Sequence, residues 1–251
     1  MAGLLSYFDQ GETMTSEDDL LSLLAVRLLG YQWFQTVLGS EPSKESLCWI
    51  ASSESRQVLA LFLEDEDPGI NREYLQLVDC LEMLAHYTPD EISALSSVYT
   101  RLFLGPGSLP IHHWESVYRK GSPALFQQTT LEVRKAYLSE GFLPAGYPNV
   151  ADDHIAIELD FMSALGRKAI VEYENGNARE SQRLLESSER FLAEHLLKWA
   201  DKYRAAAGGL MGKYVFYPLA IRLLAKFLFS DKEALREAGE ALDKQWRDNR
   251  A

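Results

Sequence analysis

Asp153, His154 and Glu158 stand at spacings that could do chemistry. The first two are adjacent, and Glu158 follows His154 by one helical turn, on the same face. Carboxylate, imidazole and carboxylate could together hold a divalent cation and activate water. That arrangement would make the chain a metal- or nucleotide-dependent all-α hydrolase. His86, His112 and His113 are further donors. The surrounding pattern does not specify such a site, however. There is no H-E-x-x-H, no matched pair of Glu-x-x-His and no Cys ligand. There is also no G-x-S-x-G elbow, no G-x-x-x-x-G-K-[ST] loop and no G-x-G-x-x-G turn. The plainer reading of Asp153 is a helix N-cap closing a loop rich in Pro and Gly, with His154 in the first turn. His112 and His113 lie in a loop, where solvent exposure is the ordinary expectation. No metal or cofactor is implied.

The second stretch runs from Gly105 to Ser122 and holds Pro110, His112, His113, Trp114 and Tyr118. Pro and Gly make it a loop, and its aromatic content suits binding better than catalysis. An apolar and aromatic loop beside acidic helices would accept a peptide with Arg residues followed by an apolar run. The alternative is that Trp114 and Tyr118 are simply core.

Helices must position these residues. Leu20, Leu21, Leu24, Leu28, Tyr31 and Leu38 recur at helical spacing, and Gly39-Ser40-Glu41-Pro42 ends that segment. Ser43 can cap the next one, with short helices over 43–50 and 54–63. Asp67-Pro68-Gly69 reads as a turn, and 71–86 as helix. Thr88-Pro89-Asp90-Glu91 has the form of a capping box with Pro at N1. Helix follows from Ser122 or Pro123 to Ser139, then over 153–174, 177–204, 211–229 and 231–246. Pro218 should start or kink its helix. No strand pattern, repeat or linker is present. The fold class is all-α: one helical-bundle domain of roughly ten helices over 1–251. It can be divided into lobes at 18–104 and 122–246, joined by the 105–121 loop.

The chain has 251 residues, 47% of them hydrophobic, and a formal net charge of −12. This composition excludes a disordered chain, and the acid excess excludes a general nucleic-acid binder. Residues 1–20 hold five acids and no base, and 61–91 hold nine acids and one base, so the remainder is near neutral. Cys48 and Cys80 lack a C-x-x-C and read as small packed hydrophobes, with one disulfide possible in principle. The run from Leu20 to Leu38 carries Arg27, Gln32 and Gln35 and is too polar for a membrane span. No signal peptide is legible, so the cytoplasm is the expected location, without stable membrane insertion.

The ordered blocks resemble the TorD/DmsD family of redox-enzyme maturation chaperones. Arg101-Leu102-Phe103-Leu104-Gly105-Pro106, then Pro110, then Trp114-Glu115-Ser116-Val117-Tyr118, is similar to the family's R-L-F-x-G-P…P…W-x-S-V-Y. Asp153-His154 with Glu158-Leu159-Asp160-Phe161-Met162 is similar to D-H-x-x-x-E-L-x-F-M. Phe191 to Trp199 resembles F-x-x-x-H-L-x-x-W, and Arg27-Leu28-Leu29 matches more weakly. The blocks cover residues 20 to 230. Where the family shows E-P-x-D-H, this chain has Val150 and Ala151, so no role of that Glu carries over; Asp152 supplies a neighbouring acid.

The resemblance implies an all-helical cytoplasmic chaperone with no enzyme activity and no cofactor of its own. Its partner would be the twin-arginine leader or the apoprotein of a molybdopterin oxidoreductase. The proteins that make the molybdopterin-guanine-dinucleotide cofactor would be further partners. Asp153, His154 and Trp114 would line the peptide pocket, and Gly105, Pro106, Pro110, Ser116 and Tyr118 would shape the loop. His154 would orient the Asp153 loop or donate a hydrogen bond, not act as a base.

Overall fold

A computed structural model describes residues 17–63, 67–105, 108–120, 128–145 and 150–248. Its first helix, α1 (Glu17–Gly39), buries Leu20, Leu24, Tyr31, Phe34 and Leu38. It packs along two other long helices, α8 (Ile155–Glu174) and α11 (Phe216–Asp248). Gly30 permits that approach: a Cβ there would lie 2.5 Å from the Phe227 ring. Phe227 is the hub of this contact, with the rings of Tyr31, Phe34 and Phe62 centred 4.9 to 5.2 Å away. An aromatic buried this fully contributes about 1.5–3 kcal/mol from lost water contact.

The chain between these helices follows its caps. Ser43 and Ser46 form a reciprocal box at α2 (Lys44–Ile50), which leads into α3 (Ser53–Leu63). Asp67 accepts from Gly69 and Ile70, so Asp67-Pro68-Gly69 is not a free turn but the cap and first residues of α4 (Pro68–Leu84). Pro68 fits there because the first helical N–H needs no partner. Thr88 and Glu91 close the expected box at α5 (Pro89–Tyr99). A π turn, Thr100–Leu104, carries α5 on to Gly105.

The 105–121 stretch is not all loop, since α6 (Glu115–Lys120) lies within it. Helix α7 spans Gln128–Ser139. The beginning expected at Ser122 or Pro123 lies outside the described residues. After α8, the chain runs without a break through α9 (Ala178–Phe191), a π turn (Leu192–Leu196) and α10 (Leu197–Gly208). The two helices expected over 211–229 and 231–246 are one, α11, and Pro218 sits in its first turn. Asp231 does not begin a new helix because its carboxylate turns inward. It pairs with Arg27 on α1 at 2.5 and 3.0 Å and accepts the Tyr31 hydroxyl at 2.7 Å.

The fold is all-α, with no strand among the described residues. Its buried apolar side chains form one cluster from Leu20 to Leu242. Cys80 is buried but Cys48 is exposed, and both are free thiols. No described helix is long and apolar enough to cross a membrane. The acidic helix α4 packs mainly on α11, α3 and α2. Asp67, Asp79 and Glu82 on it are exposed.

Candidate functional site

The two stretches marked by the sequence meet in space. Trp114 and His154 form an isolated antiparallel bridge. The Glu115 N–H donates to the Asp153 carbonyl at 2.9 Å, and the Ile155 N–H donates to the His113 carbonyl at 2.7 Å. The starts of α6 and α8 therefore lie side by side.

Asp153 locks this junction. Its side chain is fully buried. Oδ2 accepts the Ser116 backbone N–H and Oδ1 accepts the Thr130 hydroxyl, each at 2.9 Å. It therefore caps α6 across space and not the helix it precedes. The reason is local: Trp114, immediately before α6, has no acceptor atom to offer the free N–H groups. His154 is the N-cap of α8 instead, its Nδ1 accepting the Ala156 N–H at 3.1 Å. That bond leaves the ring proton on Nε2. Burial lowers the His154 pKa to about 4, although the Asp153 charge pulls the other way. The ring is thus neutral, with a single N–H to give.

The neighbouring acids are also engaged. Asp152 is buried, and the guanidinium of Arg134 reaches its Oδ2 at 2.6 Å. Glu115 is fully buried between Arg119 at 2.9 Å and His195 Nδ1 at 3.0 Å. Glu158 differs from both. It is fully buried, and among the described residues neither carboxyl oxygen has a partner in good hydrogen-bond geometry. Burial, then the charges of Glu115 and Asp153, push its pKa well above the usual carboxylate range, and the nearby Trp199 indole offsets only part of this. This environment favours the protonated form of Glu158. Among the described residues, no group of His, Cys, Asp and Glu is placed to hold a metal ion.

His113 is buried, not exposed as a loop residue would be. Its ring lies 4.1 Å from that of Phe103 and its Nδ1 is 2.5 Å from the Tyr203 hydroxyl. Burial holds its pKa well below the ordinary value, with His154 and His112 acting in the same direction. Tyr118 stacks on Trp199 and donates its hydroxyl to the His112 carbonyl at 2.9 Å, so it staples the loop. Trp114 is half-buried, its ring edge-on to His154 at 5.3 Å. Ser116 is buried, Gly105 half-buried and Pro110 exposed, while Pro106 lies outside the described residues. Among the described residues, the indole N–H of Trp114 and the Ser116 hydroxyl are buried without hydrogen-bond partners. Such atoms cost stability.

A family model described as the nitrate reductase delta subunit matches residues 63–205. The chain belongs to that family. It is 25% identical to the chaperone protein TorD of Vibrio cholerae over 212 residues, 82% of this chain and 90% of the relative. It is 25% identical to TorD of a Psychrobacter species, over 84% and 92% of the two chains. TorD of Aliivibrio salmonicida is 26% identical over 84% and 94%. The resemblance carried by the sequence blocks is thus borne out, and the protein is a TorD-family redox-enzyme maturation chaperone. Its relatives are named as chaperones, in keeping with a chain that has no catalytic motif.

Within this TorD-family frame, the junction brings together Asp153, His154, Trp114, Ser116 and Tyr118. Sequence reasoning missed Glu115, Thr130, Arg134 and His195 as its supports. The Glu115–Arg119 spacing was a legible signal. Nothing local marked Thr130.

Proposed function

We propose that the protein is a cytoplasmic chaperone for the catalytic subunit of a molybdopterin oxidoreductase. It binds the twin-arginine leader of that subunit, its apoprotein, or both. It keeps the client from export until the molybdopterin-guanine-dinucleotide cofactor is in place, working beside the proteins that make that cofactor.

The observation that carries this reading is the half-buried Trp114–His154 ring pair at the bridge between the two family blocks. A guanidinium can stack on the indole face, and the His154 Nε2–H can donate to a peptide carbonyl. Exposed Leu104 and Pro110 offer apolar contact to the segment after the arginines; Gly105 and Pro106 are proposed to shape the loop between them in sequence. Asp153 and Ser116 act from beneath as positioning residues, since their polar atoms face the α6 start. Tyr118 holds the loop in register. The unpartnered indole and hydroxyl groups nearby support a junction that rearranges when a client arrives.

Calorimetry tests this with a twin-arginine leader peptide, its Lys-Lys variant and purified apoprotein at low salt. Heat is expected from the Arg-Arg peptide or the apoprotein. Trp114→Ala should weaken that binding about tenfold, the effect of removing an aromatic anchor. The absence of heat from all three ligands sinks the reading.

A further inference from the structure

The helices flanking the junction carry a second surface of opposite character. A groove of about 590 Å³ runs between α7 and the continuous α9–α10 helix, lined by Lys135, Ser139, Arg190, Glu194 and Lys198. By helical spacing, Lys135 and Ser139 share one face of α7 with Glu132. Arg190, Glu194 and Lys198 share a face across the π turn Leu192–Leu196, and such turns recur at functional sites.

The charges that line this groove are mostly basic. In a chain of net charge −12, cations have acids to spare. Arg27, Arg119, Arg134, Arg183, Arg222 and Arg236 each hold a carboxylate. Lys135, Arg190 and Lys198 hold none among the described residues; Arg72, Arg101, Arg179 and Arg204 hold none either, but only the first three line this groove together. Arg119 and His195, at its inner edge, are already committed to Glu115. Leu131 and Leu138 lie one turn to either side of Lys135, and their exposures are 54% and 62%. These two exposed apolar side chains do not line the groove but flank it on the Lys135 side of α7.

We propose that this groove docks an acidic amphipathic segment of a partner protein. Acidic side chains of the segment pair with Lys135, Arg190 and Lys198, and its apolar side chains cover Leu131 and Leu138. Glu132 and Glu194 stand between the cations and repel a compact polyphosphate, whereas a peptide can space its acids around them. Lys135, Arg190 and Lys198 disfavour a basic leader in this groove, so the site is separate from the Trp114–His154 surface.

Fluorescence anisotropy on the full chain tests this, with a labelled Asp/Leu peptide as probe and a Lys/Leu peptide as control. The acidic peptide should bind, and salt should weaken it. Combined Lys135→Glu, Arg190→Glu and Lys198→Glu should lower its affinity at least about tenfold, with the circular dichroism spectrum unchanged. Leu131→Ser with Leu138→Ser should also weaken binding. Twin-arginine peptide binding should survive the charge reversal, which separates this site from the leader surface. Equal acidic-peptide affinity in wild type and charge-reversed protein overturns the proposal. So does binding of inorganic tripolyphosphate without the peptide, or self-association that the charge reversal abolishes while the peptide never binds.

Discussion

Asp153 accepts the backbone N–H of Ser116, 37 positions earlier in the chain. With Thr130 on its other oxygen, one buried carboxylate ties together the starts of α6 and α8 and the first turn of α7. Its charge is met by N–H and O–H donors and not by a cation. A cap seated across space exists only once these helices have packed. Its contribution is therefore to the junction, not to the propensity of any one helix.

Removing that carboxylate leaves buried donors unsatisfied. Asp153→Ala should cost about 2–4 kcal/mol in urea unfolding, as expected for two hydrogen bonds to a charged group. Thr130→Val, which deletes one of them, should cost about 1 kcal/mol. If Asp153→Ala unfolds at the wild-type urea concentration, the cross-helix cap is wrong. Loss of client binding in Thr130→Val as well as Asp153→Ala would show that the junction, and not the charge itself, is what the client needs.

Glu158 gives a pH dependence of definite sign. A carboxyl whose pKa is higher folded than unfolded binds more protons in the folded state. Its stabilising effect is full below the unfolded value, near 4.5, and is lost as pH rises toward the raised folded value. Glu158→Gln keeps the shape and removes the ionisation. It should raise stability at pH 8 by about 1–3 kcal/mol and leave stability at pH 4 nearly unchanged. A variant equally destabilised at both pH values would show that Glu158 is ionised and paired in the native protein.

His154 acts in the opposite direction. Its pKa falls from 6.5 to about 4 on folding, so the unfolded chain takes up the proton first. The contribution is present above pH 6.5 and is lost as pH falls toward 4. Nitrogen-detected NMR should find a neutral ring at pH 5.5, with the proton on Nε2 and Nδ1 accepting from Ala156. An imidazolium at that pH would remove both the N-cap and the proposed donor role. His154→Ala should cost about 1 kcal/mol through the lost cap.

Arg27 and Asp231 join α1 to α11 across 204 positions, with Tyr31 completing the site. Breaking a buried pair strands one charge, so Asp231→Ala should cost about 3–5 kcal/mol. Arg27→Met with Asp231→Leu, which removes both charges, should recover most of that loss. A double variant no more stable than Asp231→Ala would mean that packing alone governs the position.

Much of the helical framework was legible because its determinants are local. The boxes at Ser43–Ser46 and Thr88–Glu91 each lie within one turn, and the structure contains both. The family blocks were legible for the same reason, since each is a short run with its own spacing. Where reading failed, the deciding residue was distant. Asp67-Pro68-Gly69 looked like a turn because a cap and a turn use the same residue types. The break expected near Ser230 vanished because Asp231 points at Arg27.

The sequence by itself therefore determined an all-α chaperone of the TorD family and marked the two stretches that meet at the junction. Periodicity, caps and short motifs act over a few residues and can be read in a line. Only the tertiary structure decided that Asp153 serves α6, that His113 and Glu158 are buried and that three cations share an open groove. Those outcomes depend on which segments pack together. Hydrogen-bond partners and local dielectric are properties of that packing, not of any residue type.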